Sequence, residues 1–334
     1  MLRIVILFVC FLCQPLLAMH RPVSQKGLGV KTFEYMDEAR HRPVVVEFWY
    51  PTDQMEPITA SSPEELWVHP KEVRNAPFLK GAPKRPLILV SHGHRGGRRE
   101  VSWLVESLVQ AGYIVAAVDH YGDMRFHFDL IASVRFWDRP LDFTFLLDQL
   151  SKDERIREQI DFNSIGFVGY SLGGMTALAL AGGKAQDVKE ALLRINRYSL
   201  NQGAIDKFDL SPSEKSYADP RIKAFFLLCP AVFVYPPRTL KEIKSPVAIV
   251  AAMGDEVLPY QEHALRIIQN APVKKMKVLS QGVSHYTFMN RVTEAGRNIL
   301  HKAFHTDPFG CDRIAIHREV SAFAVDFFRE TLKK

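Results

Sequence analysis

One stretch constrains this chain more than any other: Ile165-Gly166-Phe167-Val168-Gly169-Tyr170-Ser171-Leu172-Gly173-Gly174. An apolar run ends in a glycine-flanked serine, and Met175-Thr176-Ala177-Leu178-Ala179-Leu180-Ala181 continues at once with helical composition. Strand, sharp turn and helix follow one another without a spacer. Glycines two before and two after Ser171 leave room for a tight turn that lifts the hydroxyl above a sheet and sets its peptide at a helix N-terminus. The pattern is G-x-S-x-G, the nucleophile elbow. Taken alone it also fits an ordinary glycine-rich turn; the flanking strand and helix favour the elbow.

The rest of the chain repeats the strand–helix rhythm. Residues 30–35 and 44–50 read as an antiparallel hairpin at a sheet edge. Residues 51–86 are proline-rich and irregular, with a short helix expected at 63–68. The apolar run at 87–90 reads as a buried parallel strand, and further strands are expected at 113–118, 222–228, 247–251 and 275–279. Helices are expected at 100–110, 139–150 and 260–269. Ile316, Val320, Phe323 and Phe327 recur at helical spacing, so a C-terminal helix should pack on the sheet. The expected fold class is α/β, a mostly parallel sheet with helices on both faces, as one domain over residues 19–334. Residues 183–218 break the rhythm. They are either a small lid inserted after the elbow helix or a surface excursion that never meets the site.

In such a sheet the loops after the strands share one edge, and the chemistry-bearing residues fall there. A serine hydroxyl needs a base, a carboxylate to orient that base, and donors for an oxyanion. In elbow proteins the acid and the histidine follow the serine in that order. The strand at 247–251 runs into Gly254-Asp255-Glu256-Val257-Leu258-Pro259. Asp255 is the expected acid and Glu256 the alternative. The strand at 275–279 runs into Ser284-His285-Tyr286, which makes His285 the expected base. The oxyanion donors are expected to be the backbone N–H groups of Leu172, just after the serine, and His94, in the loop His92-Gly93-His94-Arg95-Gly96-Gly97. His92-x-His94 has zinc-ligand spacing, but cationic neighbours argue against a metal there. Arg95, Arg98 and Arg99 either meet an acidic group on a substrate or are simply exposed. Asp119-His120 reads as loop scaffolding.

Composition adds limits. The 334 residues are 47% hydrophobic and 24% charged, ordinary for a globular protein with a large core. A net charge of +6 without a dense basic run gives no reason to expect a nucleic-acid partner. Residues 1–18 read as a secretory signal with cleavage after Ala18, which implies a secreted or periplasmic protein; an uncleaved anchor is the runner-up. Beyond it remain Cys229 and Cys311, either one disulfide or two free thiols.

The residues resemble an α/β-hydrolase of the dienelactone-hydrolase-like group, near the bacterial relatives of platelet-activating-factor acetylhydrolase. The matching pieces are Phe48-Trp49-Tyr50-Pro51-Thr52, Leu89-Val90-Ser91-His92-Gly93, Val115-Ala116-Ala117-Val118-Asp119-His120, Arg139-Pro140-Leu141-Asp142, the elbow with Thr176-Ala177-Leu178, and Asp219-Pro220-Arg221-Ile222-Lys223-Ala224. They span most of residues 30–290. The resemblance implies ester hydrolysis without a cofactor or metal, with Ser171 as nucleophile, His285 as base, Asp255 as orienting acid, and His94 and Leu172 N–H as the oxyanion hole. The substrate would be a small-molecule or lipid ester, short-chain or lipid-derived, with peripheral membrane contact in the lipid case. Tyr170 stands where many relatives carry histidine. True dienelactone hydrolases use a cysteine nucleophile, which argues against that substrate. Residues 183–218 match poorly. The alternatives are a lipase or phospholipase, a serine peptidase of the same fold, or a ligand-binding protein on a hydrolase scaffold.

Overall fold

The computed structural model describes residues 26–56, 65–195 and 205–332. The expected signal segment, residues 1–18, lies outside them. Eleven strands are present among the described residues: β1 Gly27–Asp37, β2 Arg42–Thr52, β3 Val73–Arg74, β4 Arg85–Ser91, β5 Ile114–Val118, β6 Asp123–Met124, β7 His127–Phe128, β8 Ile160–Tyr170, β9 Ile222–Leu228, β10 Val247–Ala252 and β11 Val273–Leu279. Nine of them form one sheet in the order β11-β10-β9-β8-β4-β5-β2-β1-β3. From β11 through β5 every neighbour is parallel. The hairpin β1–β2 is antiparallel, and β2 joins β5 antiparallel. The remaining two strands, β6 and β7, make a small hairpin of their own.

The alternation of side chains along each strand decides which layer it feeds. In β4, Leu87 and Leu89 join one apolar cluster while Ile88 and Val90 join the other. The first cluster takes in Phe143, Leu146 and Leu147 of helix α3, with Met175 and Leu178 of the helix after the elbow. Three shorter or earlier helices complete this part of the chain: α1 Ser102–Gln110, α2 Leu130–Val134 and α3 Asp138–Lys152; the elbow helix is α4 Leu172–Leu180, followed by α5 Val188–Ile195. The second cluster is covered by Leu104, Val105 and Leu108 of α1 and by Val320, Ala324, Phe327 and Phe328 of the C-terminal helix, Arg313–Thr331. Helices therefore cover both faces, as the spacing of apolar residues predicts. Gly166 in β8 lets the Phe328 ring lie against the strand; a Cβ there would come within 2.6 Å of it.

One expectation needs correction. Residues 65–68, the described part of the expected 63–68 helix, are not helical; Trp67 instead bridges to Val292. The loop after β5 holds the β6–β7 hairpin and α2. Cys229 and Cys311 are both free. No helix among the described residues is long and apolar enough to cross a membrane.

Candidate active site

Ser171 sits where β8 gives way to α4, with φ of 55° and ψ of −117°. That left-handed turn explains the neighbouring glycines. A Cβ on Gly169 would lie 2.2 Å from the Gly173 carbonyl oxygen, and one on Gly173 would lie 2.1 Å from the Ser91 carbonyl oxygen. No side chain fits at either place, so the chain can close the turn only with glycine.

The loop after β10 brings Asp255 to the same edge, and the loop after β11 brings His285. His285 Nε2 is 3.0 Å from Ser171 Oγ, and His285 Nδ1 is 2.7 Å from Asp255 Oδ2. All three residues are buried. Asp255 Oδ1 accepts the N–H groups of Val257 and Leu258 at 3.0 and 2.7 Å, and the Cys229 thiol also bonds this carboxylate. Of the two expected acids, Asp255 meets the ring, whereas Glu256 accepts the backbone N–H of His285 at 3.2 Å. Tyr170 lies stacked on the imidazole, centroids 5.2 Å apart, and its hydroxyl donates to the His285 carbonyl at 3.1 Å. Tyr170 thus ties the elbow to the histidine loop.

The loop after β4 comes alongside. A Cβ on Gly93 would be 3.2 Å from Ser171 Cβ, so this backbone touches the serine. His92 Nε2 accepts the His120 N–H at 3.1 Å, which leaves Nδ1 protonated to donate to the Gly93 carbonyl at 2.7 Å. Burial, reinforced by Arg139 and His120, pushes His92 well below the ordinary histidine range and keeps it neutral. Gly96 N–H bonds the same carbonyl at 3.2 Å. With Gly93 C=O held from two sides, the His94 N–H of that trans peptide faces the other way. Leu172 N–H belongs to the first turn of α4, where amides have no intrahelical acceptor. His94 Nδ1 is 2.8 Å from Asp123, whose carboxylate also takes Arg139 and the Arg95 N–H. Both ring nitrogens of His92 are thus engaged within the protein. One group of ligand-type atoms does cluster, Cys229, Asp255 and His285, within 4.8 Å of one another. Burial raises the thiol of that set well above its ordinary range, and Asp255 raises it further.

Two cavities meet at Ser171. One is apolar, about 30 Å³, lined by Val134, Phe136, Leu172, Met175, Leu192 and Phe233. The other is wide, about 620 Å³, and lies on the His285 side, with Arg95, Glu100, Arg125, Tyr286 and Phe304 in its wall. Leu192 belongs to α5, so the described part of segment 183–218 reaches the site, and the reading as an excursion that never meets it is corrected. Arg98 and Arg99 are not at the site. They bind Glu47, Glu72 and Asp119. Sequence reasoning missed Glu100 and Arg125. Glu100 accepts the Gly93 N–H at 2.8 Å, and burial lifts its carboxyl to about 7.

A mostly parallel sheet with an elbow at the end of a central strand, and the acid and histidine on the loops after later strands, is the α/β-hydrolase fold. One solved structure agrees with that fold. A ferulic acid esterase from Streptomyces cinnamoneus is similar with a TM-score of 0.63 and 21% identity, over 94% of this chain and 92% of that one. A cold-adapted esterase from an Arctic intertidal metagenomic library aligns with a TM-score of 0.49 and 16% identity, over 90% and 93% of the two chains. At 21% identity the first likeness speaks for the fold alone. No protein-family model and no curated protein matches the chain.

Proposed function

We propose that the protein is a serine hydrolase of carboxylic esters. The observation that carries this reading is the hydrogen-bonded chain Asp255–His285–Ser171 ending on a strained serine that faces both cavities. His285 Nε2 takes the Ser171 proton as Oγ attacks the ester carbonyl, and Asp255 stabilises the imidazolium. The N–H groups of His94 and Leu172 hold the oxyanion. The C–O bond to the alcohol then breaks, and His285 returns its proton to the departing oxygen. Water activated by His285 cleaves the acyl-enzyme, releasing the acid and restoring the serine. The alcohol therefore leaves on the His285 side, into the wide cavity, and the acyl group occupies the apolar one. A water needs roughly 10–15 Å³ by the same measure, so the apolar cavity suits a short acyl group. The motif resemblance to the dienelactone-hydrolase-like and platelet-activating-factor-acetylhydrolase-like group supports the same chemistry.

Phe126 and Ile131, 83% and 58% exposed on the loop after β5, favour a second reading as a lipase or phospholipase working at a lipid surface. One experiment separates the two. The purified protein is given p-nitrophenyl acetate, butyrate, octanoate and palmitate, beside Ser171→Ala. Turnover that is fastest on acetate or butyrate and lost in the variant is the expected result. A maximum at palmitate selects the lipase. No turnover, with no fluorophosphonate labelling of Ser171, removes the hydrolase reading.

A further inference from the structure

The wide cavity carries a charge pattern that ester hydrolysis alone does not need. Nearly every arginine around the site answers a carboxylate: Arg98 and Arg99 meet Glu47, Arg139 meets Asp123, and Arg42 and Arg40 meet Asp142. Arg95 and Arg125 do not. Among the described residues, their guanidinium groups lie against rings instead. Arg95 sits 4.4 Å from the Phe128 centroid, and Arg125 sits 4.8 Å from Phe304 and 5.5 Å from Trp67. Both line the cavity that holds Ser171 and His285.

The two acids in that wall are engaged elsewhere. Glu256 bonds the His285 N–H, and Glu100 bonds the Gly93 N–H and packs on Gly96, where a Cβ would come within 2.4 Å of its carboxylate. Burial lowers the pKa of Arg125, Glu100 works against this, and Arg95 adds to it. A half-buried cation with a second cation nearby is a place where an incoming anion gains most. The backbone points the same way. Arg95 adopts φ of 54°, a conformation suited to glycine, although Gly96 and Gly97 are its immediate neighbours. Its N–H is fixed on Asp123 Oδ1 at 3.1 Å. The turn thus keeps an arginine where strain favours glycine, and aims it into the cavity.

We propose that Arg125, with Arg95 beside it, is an anion subsite on the leaving-group side, so that the preferred esters join a short acyl group to an alcohol carrying a carboxylate or phosphate. This rests on the ester-hydrolase reading for its orientation. Tyr286 and Phe304, edge-to-face at 4.8 Å, supply apolar walls for the body of that alcohol.

The test compares 4-acetoxy-3-nitrobenzoate with its neutral methyl ester. The ratio of their kcat/KM values is taken on one protein sample, so that any unfolded fraction cancels. Wild type should favour the anion, and Arg125→Gln should cut the ratio by about tenfold, with Arg125→Glu going further. A ratio that is the same in all three proteins overturns the proposal. A second arm needs no turnover. Ser171→Ala is titrated with 4-hydroxy-3-nitrobenzoate and with 4-nitrophenyl phosphate, with and without Arg125→Gln. Binding of either anion that is lost with Arg125 supports the subsite, and the tighter one names the group. Such binding with no ester turnover would sink the hydrolase reading and leave the anion site standing. Turnover with neither anion bound would do the reverse. Retention on phosphatidylglycerol vesicles, with no affinity for either soluble anion, assigns the arginines to a lipid surface and overturns the leaving-group subsite.

Discussion

Two Ser–His–Asp chains run through this protein with nearly the same bond lengths. In one, His285 lies 3.0 Å from Ser171 and 2.7 Å from Asp255; in the other, His120 lies 2.9 Å from Ser91 and 2.9 Å from Asp142. Their differences favour only one of them for the proposed hydrolysis. Ser91 ends a regular strand at 0% exposure, whereas Ser171 stands on a left-handed turn between two cavities. The acids differ as well. Asp142 is bound by Arg42 through both oxygens, at 2.7 and 2.9 Å, and by Arg40 at 3.0 Å, so its charge is already answered. Asp255 receives backbone N–H groups and a thiol, and among the described residues no guanidinium competes with the imidazole for it. Burial, then Arg139, Arg42 and Arg40, push His120 well below the ordinary histidine range. A ring whose charged form is disfavoured in this way is the poorer acceptor for a hydroxyl proton. The buried chain ties β4, the loop after β5 and α3 together; the open one is the chain the proposed hydrolysis uses.

The comparison breaks most easily at the serines. Ser171→Ala should lower kcat on p-nitrophenyl acetate by about 10⁴-fold or more. Ser91→Ala should leave it within about threefold and lower stability by about 1–3 kcal/mol through the unpaired ring nitrogen. Equal losses of activity, with Ser91→Ala unchanged in thermal stability, would put both chains in the mechanism. The acids give a crossed version of the same test. Asp255→Asn should cost about 10⁴-fold in kcat with the fold intact. Asp142→Asn leaves Arg42 buried without its partner and should cost about 3–5 kcal/mol in a urea titration. An Asp142→Asn protein as stable as wild type would mean that the arginine pairing stabilises nothing.

What could be read beforehand follows from these physics. The central strands were legible because each is a short apolar run closed by a turn, and the elbow because Gly169 and Gly173 admit no other residue. Asp255 and Glu256 could not be told apart, since adjacent carboxylates on a turn face different ways and only the folded loop shows which meets the ring. Asp119-His120, read as scaffolding, does not act as a pair: His120 bonds Asp142, and Asp119 bonds Arg98. The β6–β7 hairpin, with two residues per strand, is too short to show a period, and Arg125 at its tip went unnoticed for that reason. Glu100 looked like the start of an amphipathic helix. Its burial comes from the loop 92–97 folding over it.

Access separates the two serines, and Leu192 of α5 forms part of it. Leu192→Ala removes apolar atoms from the small cavity and should raise the butyrate-to-acetate ratio of kcat/KM by about tenfold; Leu192→Phe should lower it. If neither substitution moves the ratio, the acyl group does not occupy this cavity, and α5 has no part in choosing it.

The smallest effect tests whether the buried chain is a neutral structural unit. His120 has a folded pKa below its unfolded value near 6.5, so the unfolded chain binds a proton that the folded chain refuses. Its contribution is complete above about pH 6.5 and is lost as pH falls below it, at no more than about 1.4 kcal/mol per pH unit. His92, His69 and His317 act in the same sense, so His120→Gln should reduce the slope of urea midpoint against pH rather than abolish it. Glu100 acts in the opposite sense. Raised to about 7 from an ordinary value of 4.5, it takes up a proton in the folded state between those pH values and offsets part of the histidine loss. Glu100→Gln should therefore steepen the fall between pH 7 and 5 where His120→Gln flattens it. A His120→Gln protein that falls as steeply as wild type, or more steeply, would show that the ring of His120 is not held neutral, and the distinction between the two chains would then rest on access alone.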